Sequence, residues 1–333
     1  MRIKTWQNLF ISLLLLLALT VTPILTGCGG GEEDTETTTT TTTTTDTNTQ
    51  TEVDEFEVVL DAVSDYMTQR AGNMKASDLQ MRIAEGDAPY IVSLRSAEDY
   101  AKGHIPGAVN MKFGNIFDLP KDEEILVYCY TGQSGSFAAA TLGVLGYDVQ
   151  NLRHGMASWT DDPDVYVKRF DPATSQGDYN VETTANTPGT YSYPKLENTT
   201  SSDEADIVLA AAKTVTTQYI TAADLNMKIA EGEDMTIVSC RSAEQYAKGH
   251  IPGAVNIGMD DLVSNLNKLD PDAPVYVYCY TGHNAGQTAA ILQMLGYDAY
   301  SLSFGMCSWS SDPEINAGSC FDPSTAASYD TEK

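Results

Sequence analysis

Two cysteines occupy the same position in a repeated string: VYCYTG runs over 127–132 around Cys129 and again over 277–282 around Cys279. In each copy an apolar run reads as a strand, the string ends on a glycine, and a helical segment follows. A thiol at the mouth of a strand, beside a glycine loop and the positive end of a helix, is well placed to be held as a thiolate. The candidate catalytic residues are therefore Cys129 and Cys279, and the chemistry is nucleophilic attack by sulfur. The candidate substrate-binding loops are Tyr130, Thr131, Gly132, Gln133, Ser134 and Gly135 in one copy. In the other they are Tyr280, Thr281, Gly282, His283, Asn284 and Ala285.

The duplication extends well beyond these strings. Arg95, His104 and Pro106 recur as Arg241, His250 and Pro252, and after an insertion between Asn256 and Cys279 the register resumes with Gly282, Gly296, Gly305 and Trp309 matching Gly132, Gly146, Gly155 and Trp159. A period this long exceeds that of a solenoid, so each copy should be a complete domain with its own core. The expected organisation is a domain over 55–174, a linker over 175–202 and a second domain over 203–333. The linker stretch is rich in Thr, Asn and Gly, and its Tyr191 and Tyr193 are candidates for packing on a domain surface.

Periodicity and turn residues give the elements that must position the loops. Ser77 and Gln80 have capping-box spacing and predict a helix carrying Leu79 and Ile83 that stops near Gly86. Short apolar strands are predicted at 90–94, 108–111, 125–128 and 148–152, and helices from Ser96 and over 137–145. Ser242 and Gln245 repeat the capping spacing. Strands apolar on both faces, alternating with helices, predict an α/β fold with a parallel sheet covered on both sides.

The run IVSLRSAEDY around Arg95, then GHIPGA around His104, YCYTG around Cys129, LGY, and GMASW ending at Trp159 together resemble the rhodanese domain in its usual order. The second copy repeats each element, so the resemblance takes in most of both domains. It implies two rhodanese-like domains, each a parallel sheet with helices on both faces. In each, the cysteine accepts a sulfur atom as a persulfide and passes it to a thiol or another nucleophile. The implied partners are a small sulfur donor and a thiol acceptor, with no cofactor, and the sequence shows no metal-ligand spacing around its four histidines. Tandem relatives favour the second copy as the working one, although both copies here keep the cysteine.

There is one departure from the family pattern. Many rhodaneses carry an arginine at the fifth residue after the cysteine, where this chain has Ser134 and Asn284. Losing that guanidinium removes an anion clamp worth about 1.5–3 kcal/mol. A less charged donor, such as a persulfide or polysulfide, gains on thiosulfate in consequence. The same absence weighs against the phosphatases that share the fold.

Other residues receive structural expectations first. Arg95 and Arg241 should pair with Glu98 and Glu244, pinning strand to helix. His104 and His250 should make structural hydrogen bonds, and Trp159 and Trp309 should close the core edge. His283 has two readings, one lowering the Cys279 pKa or touching a donor and the other facing solvent. Cys240, matched by Leu94 in the first copy, is either a resolving thiol for Cys279 or a buried free thiol. Cys307 and Cys320 are candidates for a disulfide in an oxidising compartment.

The chain begins with Arg2 and Lys4, an apolar run over 9–19, and Leu25, Thr26, Gly27 and Cys28. The run is too short to span a bilayer and fits a signal peptide over 1–27. Its end resembles the lipobox of bacterial lipoproteins, which implies cleavage before Cys28, lipidation of that thiol and attachment to the membrane of the cell envelope, in the outer membrane or at the cell surface. Gly29 follows the cysteine, which gives no signal for retention at the inner membrane. The Thr-rich stretch 28–54 lacks the apolar residues to build a core and reads as a disordered tether. With 46 acidic against 19 basic residues and a formal charge of −27, the surface repels nucleic acid, and no nucleic-acid partner is expected.

Three functions fit these residues. They are an exported, lipid-anchored sulfurtransferase, a thiol redox or sulfur-carrier module without turnover, and a non-catalytic scaffold. The series of motifs favours the first, and retention of the cysteine in both copies counts against the third.

Overall fold

The computed structural model describes residues 53–333. The expectations for the signal peptide, for Cys28 and for all but the end of the tether lie outside the described residues. In the first domain the elements are α1 (Glu55–Gln69), α2 (Ala76–Glu85), β1 (Tyr90–Ser93), α3 (Ala97–Lys102), β2 (Val109–Asn110), β3 (Ile125–Tyr128), α4 (Gln133–Val144), β4 (Val149–Asn151), α5 (Met156–Trp159) and α6 (Pro172–Ser175). The second domain holds α7 (Glu204–Ala212), β5 (Tyr219–Ile220), α8 (Ala222–Glu231), β6 (Thr236–Ser239), α9 (Ala243–Lys248), β7 (Val255–Asn256), β8 (Val275–Tyr278), α10 (His283–Met294), β9 (Ala299–Leu302), α11 (Met306–Trp309) and α12 (Pro313–Asn316).

Every strand pairing is parallel. The sheet orders are β2-β1-β3-β4 and β5-β9-β8-β6-β7, and a single bridge from Met74 to Leu152 stands in the first domain where β5 pairs in the second. The central strands β3 and β8 are buried along their whole length, as expected of a sheet covered on both faces. Helix α4 lines one face of the first sheet and α10 the matching face of the second, and α1 and α7 pack on these helices and on each other. Phe56, Val59 and Val63 of α1 share one continuous core with Ile207 and Ala211 of α7 and with Ala285 and Ala289 of α10. That shared core joins the two domains.

Local signals explain most of the boundaries. Ser96 and Ser242 cap α3 and α9 by accepting from Asp99 N and Gln245 N, and Gly86 closes α2 in a left-handed conformation. The predicted box at Ser77 does not form. Helix α2 starts two residues earlier than a cap at Ser77 would place it, after Lys75, which offers no side-chain cap, and Ser77 lies inside the first turn with its hydroxyl on Asp78. In the second copy Thr221 occupies the cap and accepts from Asp224 N. Helix α4 begins at Gln133, four residues before the predicted start, so it springs directly from the cysteine loop.

The arginine pairing is also corrected. Arg95 and Arg241 do not reach Glu98 and Glu244, which turn outward in the first helical turn and meet Lys102 and Lys248 at 3.4 Å each. Both guanidinium groups are instead buried against carbonyls. Arg95 donates to Gly103 O and Val165 O, and Arg241 donates to Gly249 O at 2.5 Å and Ile315 O at 2.8 Å. Gly103 and Gly249 end α3 and α9, and Val165 and Ile315 lie in the segments after α5 and α11, so these carbonyls have no strand partner, and a buried carbonyl needs a donor. His104 and His250 make the expected structural bonds, to Tyr100 O at 3.1 Å and Tyr246 O at 2.8 Å.

The segments that follow the two domains are exchanged. Residues 177–182, in the linker, run along the second domain, where Tyr179 N donates to Trp309 O, Trp309 Nε1 donates to Asn180 O, and Glu182 pairs with His250 through two backbone bonds. Residues 327–332, at the end of the chain, do the same for the first domain. There Tyr329 N donates to Trp159 O, Trp159 Nε1 donates to Asp330 O, and Glu332 pairs with His104. Each domain is therefore sealed by a strap that its neighbour carries. Elsewhere in the linker, Tyr193 stacks on Phe56 at 4.9 Å between ring centroids.

Candidate active site

Cys129 and Cys279 directly follow β3 and β8, so each lies at the carboxyl edge of its sheet, where parallel sheets present ligands. Gly132 and Gly282 then turn the chain into α4 and α10 with φ of 81° and 86°, a conformation that favours glycine. A side chain on Gly282 would also stand 2.5 Å from Gln133 Oε1, and one on Gly132 would stand 2.6 Å from His283 Nε2. Each loop is thus pressed against the loop of the other domain.

The contacts between the loops follow an approximate twofold pattern. Gln133 Oε1 accepts from Phe304 N at 2.9 Å, and His283 Nε2 stands 3.2 Å from His154 N and 3.0 Å from Thr131 O. Phe304 and His154 are equivalent residues, and both hold left-handed backbone, with φ of 60° and 62°. That conformation is costly for a residue with a side chain, and it is retained here where it carries the bond across the seam. With its proton on Nε2 the His283 ring donates to Thr131 O and accepts from Thr281 Oγ1 at 2.7 Å. With its proton on Nδ1 it donates to Thr281 Oγ1 and accepts from His154 N. Gln133 Nε2 donates to Thr131 Oγ1. His283 is therefore a buried seam residue rather than a solvent-facing one. Burial pushes it down to about 4, and burial together with His283 and Arg153 pushes His154 down to about 3. Both rings are neutral near pH 7, so neither acts as a cation on Cys279.

The two sulfur atoms differ in their surroundings. Burial alone would raise the Cys279 thiol, but a hydrogen bond from Cys240 and the N–H groups of Ala285, Thr281 and Gly282 outweigh it and bring Cys279 down to about 6. Gly282 N lies 3.1 Å from Cys279 Sγ, and among the described residues this bond has no counterpart at Cys129. Cys240 continues the register of the β6–β8 ladder, with its N–H on Tyr278 O, which sets it beside Cys279. Its own thiol is held well above the ordinary value by its bond to Cys279, by burial and by the neighbouring negative charge. Cys240 thus remains a thiol, and its S–H is shared between Tyr278 O, 3.2 Å away, and the Cys279 sulfur beside it.

Residues far away in the sequence complete each cup. At Cys129 the second domain supplies Tyr219, whose hydroxyl lies 3.1 Å from Ser134 Oγ and whose ring meets Phe137 edge-on. Tyr130 is fixed by its bond to Asp99 at 2.6 Å and is covered by the Arg169 guanidinium at 4.4 Å. At Cys279 a cavity of about 250 Å³ opens over the sulfur, lined by Thr281, His283 and Asn284 from its own loop and by Asn73 and Arg153 from the first domain. Tyr280 bounds the same cavity. Gly135 and Ala285 lie inside the first turns of α4 and α10, buried behind the loops.

Sequence reading missed Tyr219, Asn73 and Arg153, because each lies in the other copy. The available signal was the breakdown of the repeat, with Tyr219 standing opposite Asn73 and Ser303 opposite Arg153. Cys307 and Cys320 are joined as a disulfide, with Cα atoms 5.4 Å apart, while Cys129, Cys240 and Cys279 are free.

Comparison with known proteins agrees with this geometry. The profile of the Rhodanese-like domain matches residues 75–162 and 221–312. A tRNA sulfurtransferase of Pyrobaculum aerophilum is 43% identical over 70 residues, which is 21% of this chain and 14% of that protein. The thiosulfate sulfurtransferase GlpE of Shewanella oneidensis is 32% identical over 84 residues, 25% of this chain and 83% of that protein. Among solved structures, a rhodanese-like domain protein from Staphylococcus aureus is 33% identical, covering 28% of this chain and 90% of its own, with a TM-score of 0.27. The family and the two sulfurtransferase-named relatives support sulfur transfer in general. With two profile matches that together span more than half its length, the chain belongs to the rhodanese-like domain family and is a tandem member of it.

Proposed function

We propose that the protein is an exported, lipid-anchored sulfurtransferase that moves sulfane sulfur through a cysteine persulfide to a thiol or another nucleophile, with Cys279 as the principal nucleophile and Cys129 as the second. The observation that carries this reading is the Cys279 thiol at about 6, ionised near neutral pH inside a ring of N–H donors and beside an open cavity. The thiolate attacks the outer sulfur of the donor, a new S–S bond forms, and the rest of the donor departs with the electron pair of the broken bond. The acceptor then attacks the outer sulfur of the persulfide and returns Cys279 as thiolate. The N–H groups that stabilise the thiolate also stabilise the anionic persulfide.

Export through 1–27 and anchoring at Cys28 rest on the sequence pattern, and the Cys307–Cys320 disulfide supports an oxidising compartment. Sulfur transfer to cyanide tests the reading, with thiosulfate and polysulfide as donors. Cys279→Ser is expected to remove most of the activity, and Cys129→Ser with Cys279→Ser all of it. Activity that survives the double substitution takes both thiols out of the mechanism.

One observation favours a second reading, a thiol redox or carrier module. Cys240 stands beside Cys279, and its attack on the inner sulfur of a Cys279 persulfide would close a disulfide and release sulfide with the bonding pair. Intact-mass measurement after donor exposure separates the two, since transfer chemistry adds a sulfur atom to Cys279 whereas disulfide closure removes two hydrogens.

A further inference from the structure

We propose that Arg153, carried by the first domain, is the anion-holding residue of the Cys279 site in the second, so that this site takes a small sulfur donor bearing an oxyanion. The inference rests on Cys279 being the sulfur-accepting thiol, and it names the class of donor.

The guanidinium that the sequence lacks at Asn284 is supplied from across the seam. Arg153 and Asn73 line the same 250 Å³ cavity as Cys279 and Asn284. The root of Arg153 is fixed, because its N–H donates to Met74 O at 2.8 Å and its carbonyl accepts from Ser158 Oγ at 2.8 Å. Its guanidinium, by contrast, has no carboxylate or hydrogen-bond partner among the described residues. Other basic side chains are unpaired too, but Arg153 is the one cation among the described residues that lines the Cys279 cavity. Arg70 and Arg82 are both taken up by carboxylates, with 2.5 Å contacts to Asp260 and Glu124. Asn73 Oδ1 is occupied by Asn151 Nδ2 at 2.9 Å, which leaves the Asn73 amide NH₂ to donate into the cavity.

The other cup lacks these features. Ser303 replaces Arg153 there, and Tyr219 replaces Asn73 with its hydroxyl engaged by Ser134. A cation, an amide donor and a thiolate around one cavity fit a donor with an oxyanion at one end and a transferable sulfur at the other. With thiosulfate, the Cys279 thiolate takes the outer sulfur as an anionic persulfide and sulfite leaves with the bonding pair, so charge balances without an added proton. Arg153 would hold the sulfonate oxygens before the transfer and the sulfite after it.

The test uses the full chain carrying Cys129→Ser, alkylated at Cys279 by iodoacetate or by its neutral counterpart iodoacetamide and read from the Cys279 peptide. A change in the ionisation of Cys279 affects both reagents equally, so their ratio isolates anion recognition. In Arg153→Gln the iodoacetate rate should fall about tenfold relative to iodoacetamide, the lower end for a charged hydrogen bond. Arg153→Lys should recover part of the ratio. An unmoved ratio, or equal slowing of both reagents, overturns the proposal. If the ratio moves while no donor loads sulfur onto Cys279, the anion site stands and the sulfurtransferase reading fails.

Discussion

Replacing Cys240 by alanine should raise the titration midpoint of Cys279 by one to two pH units. Cys279 lies at about 6 although it is buried, and the Cys240 thiol is first among the groups that lower it. A hydrogen bond to a charged group contributes about 1.5–3 kcal/mol, and one pH unit corresponds to about 1.4 kcal/mol. The N–H donors of Thr281, Gly282 and Ala285 remain, so the midpoint should settle near 7 to 8, short of the ordinary thiol value.

The assay is the rate of iodoacetamide alkylation at Cys279 against pH, in the Cys129→Ser background. Measurement at a single pH would mislead. At pH 6.5 the thiolate fraction falls from about three quarters to between a quarter and a few per cent, but a more basic thiolate is also a better nucleophile. On the dependence found for thiolates attacking disulfides, the high-pH plateau should rise roughly three- to eightfold. The profiles should therefore cross, with the variant slower in acid and faster in base. Cys240→Ser keeps a hydroxyl donor and should stay near the parent. A midpoint that does not move in Cys240→Ala refutes the reasoning, because the amide ring alone would then account for the low value.

Two further outcomes follow from the seam and the straps. His283 is held at about 4 against an ordinary 6.5, so as pH falls the unfolded chain takes up its proton first. The stability associated with a neutral His283 is fully present above about 6.5 and drains away toward 4, by about 3 kcal/mol in total. His283→Gln, which installs the residue used at the equivalent Gln133, should flatten that part of the acid response. Denaturant midpoints at pH 7 and 4.5 read the effect, and an identical loss in parent and variant counts against it. Deleting 327–333 strips Trp159 Nε1 of Asp330 and His104 of Glu332, and should destabilise the first domain by about 3 kcal/mol at roughly 1 kcal/mol per hydrogen bond. Hydrogen exchange should quicken in β1 and β3 more than in β6 and β8, and uniform acceleration would contradict the assignment of that strap.

The elements that hold the cysteines were legible because strand and helix patterns are local. Apolar residues over 125–128 and a glycine at 132 suffice to place a strand, a turn and a helix in that order. Features set by tertiary demand were not legible. Glu98 lies at helical spacing from Arg95 and invites pairing, yet the carbonyls at Gly103 and Val165 needed a buried donor and took the guanidinium. Helix α1 shows its apolar stripe in Phe56, Val59 and Val63, but it stands beside a polar tether and packs on the neighbouring domain's α7, which no pattern within one copy reveals. The straps repeat in the sequence, with Tyr179 and Glu182 matched by Tyr329 and Glu332, but the repetition does not say which domain each one covers.

That exchange explains why two copies of one fold can hold unlike thiols. The α4 and α10 helices pack together, so each cysteine loop lies against the loops that follow β4 or β9 in the other domain. A substitution after β4 alters the cavity at Cys279, and one at β5 alters the cup at Cys129. Divergence between the copies therefore appears across the seam. Asn73 and Arg153 give Cys279 an open polar cavity, whereas Tyr219 places a phenol beside Cys129, and burial there pushes the Tyr219 hydroxyl well up. Separating the domains would strip Cys279 of Arg153 while leaving its own loop in place. The sequence of the second domain alone is thus an incomplete description of its site.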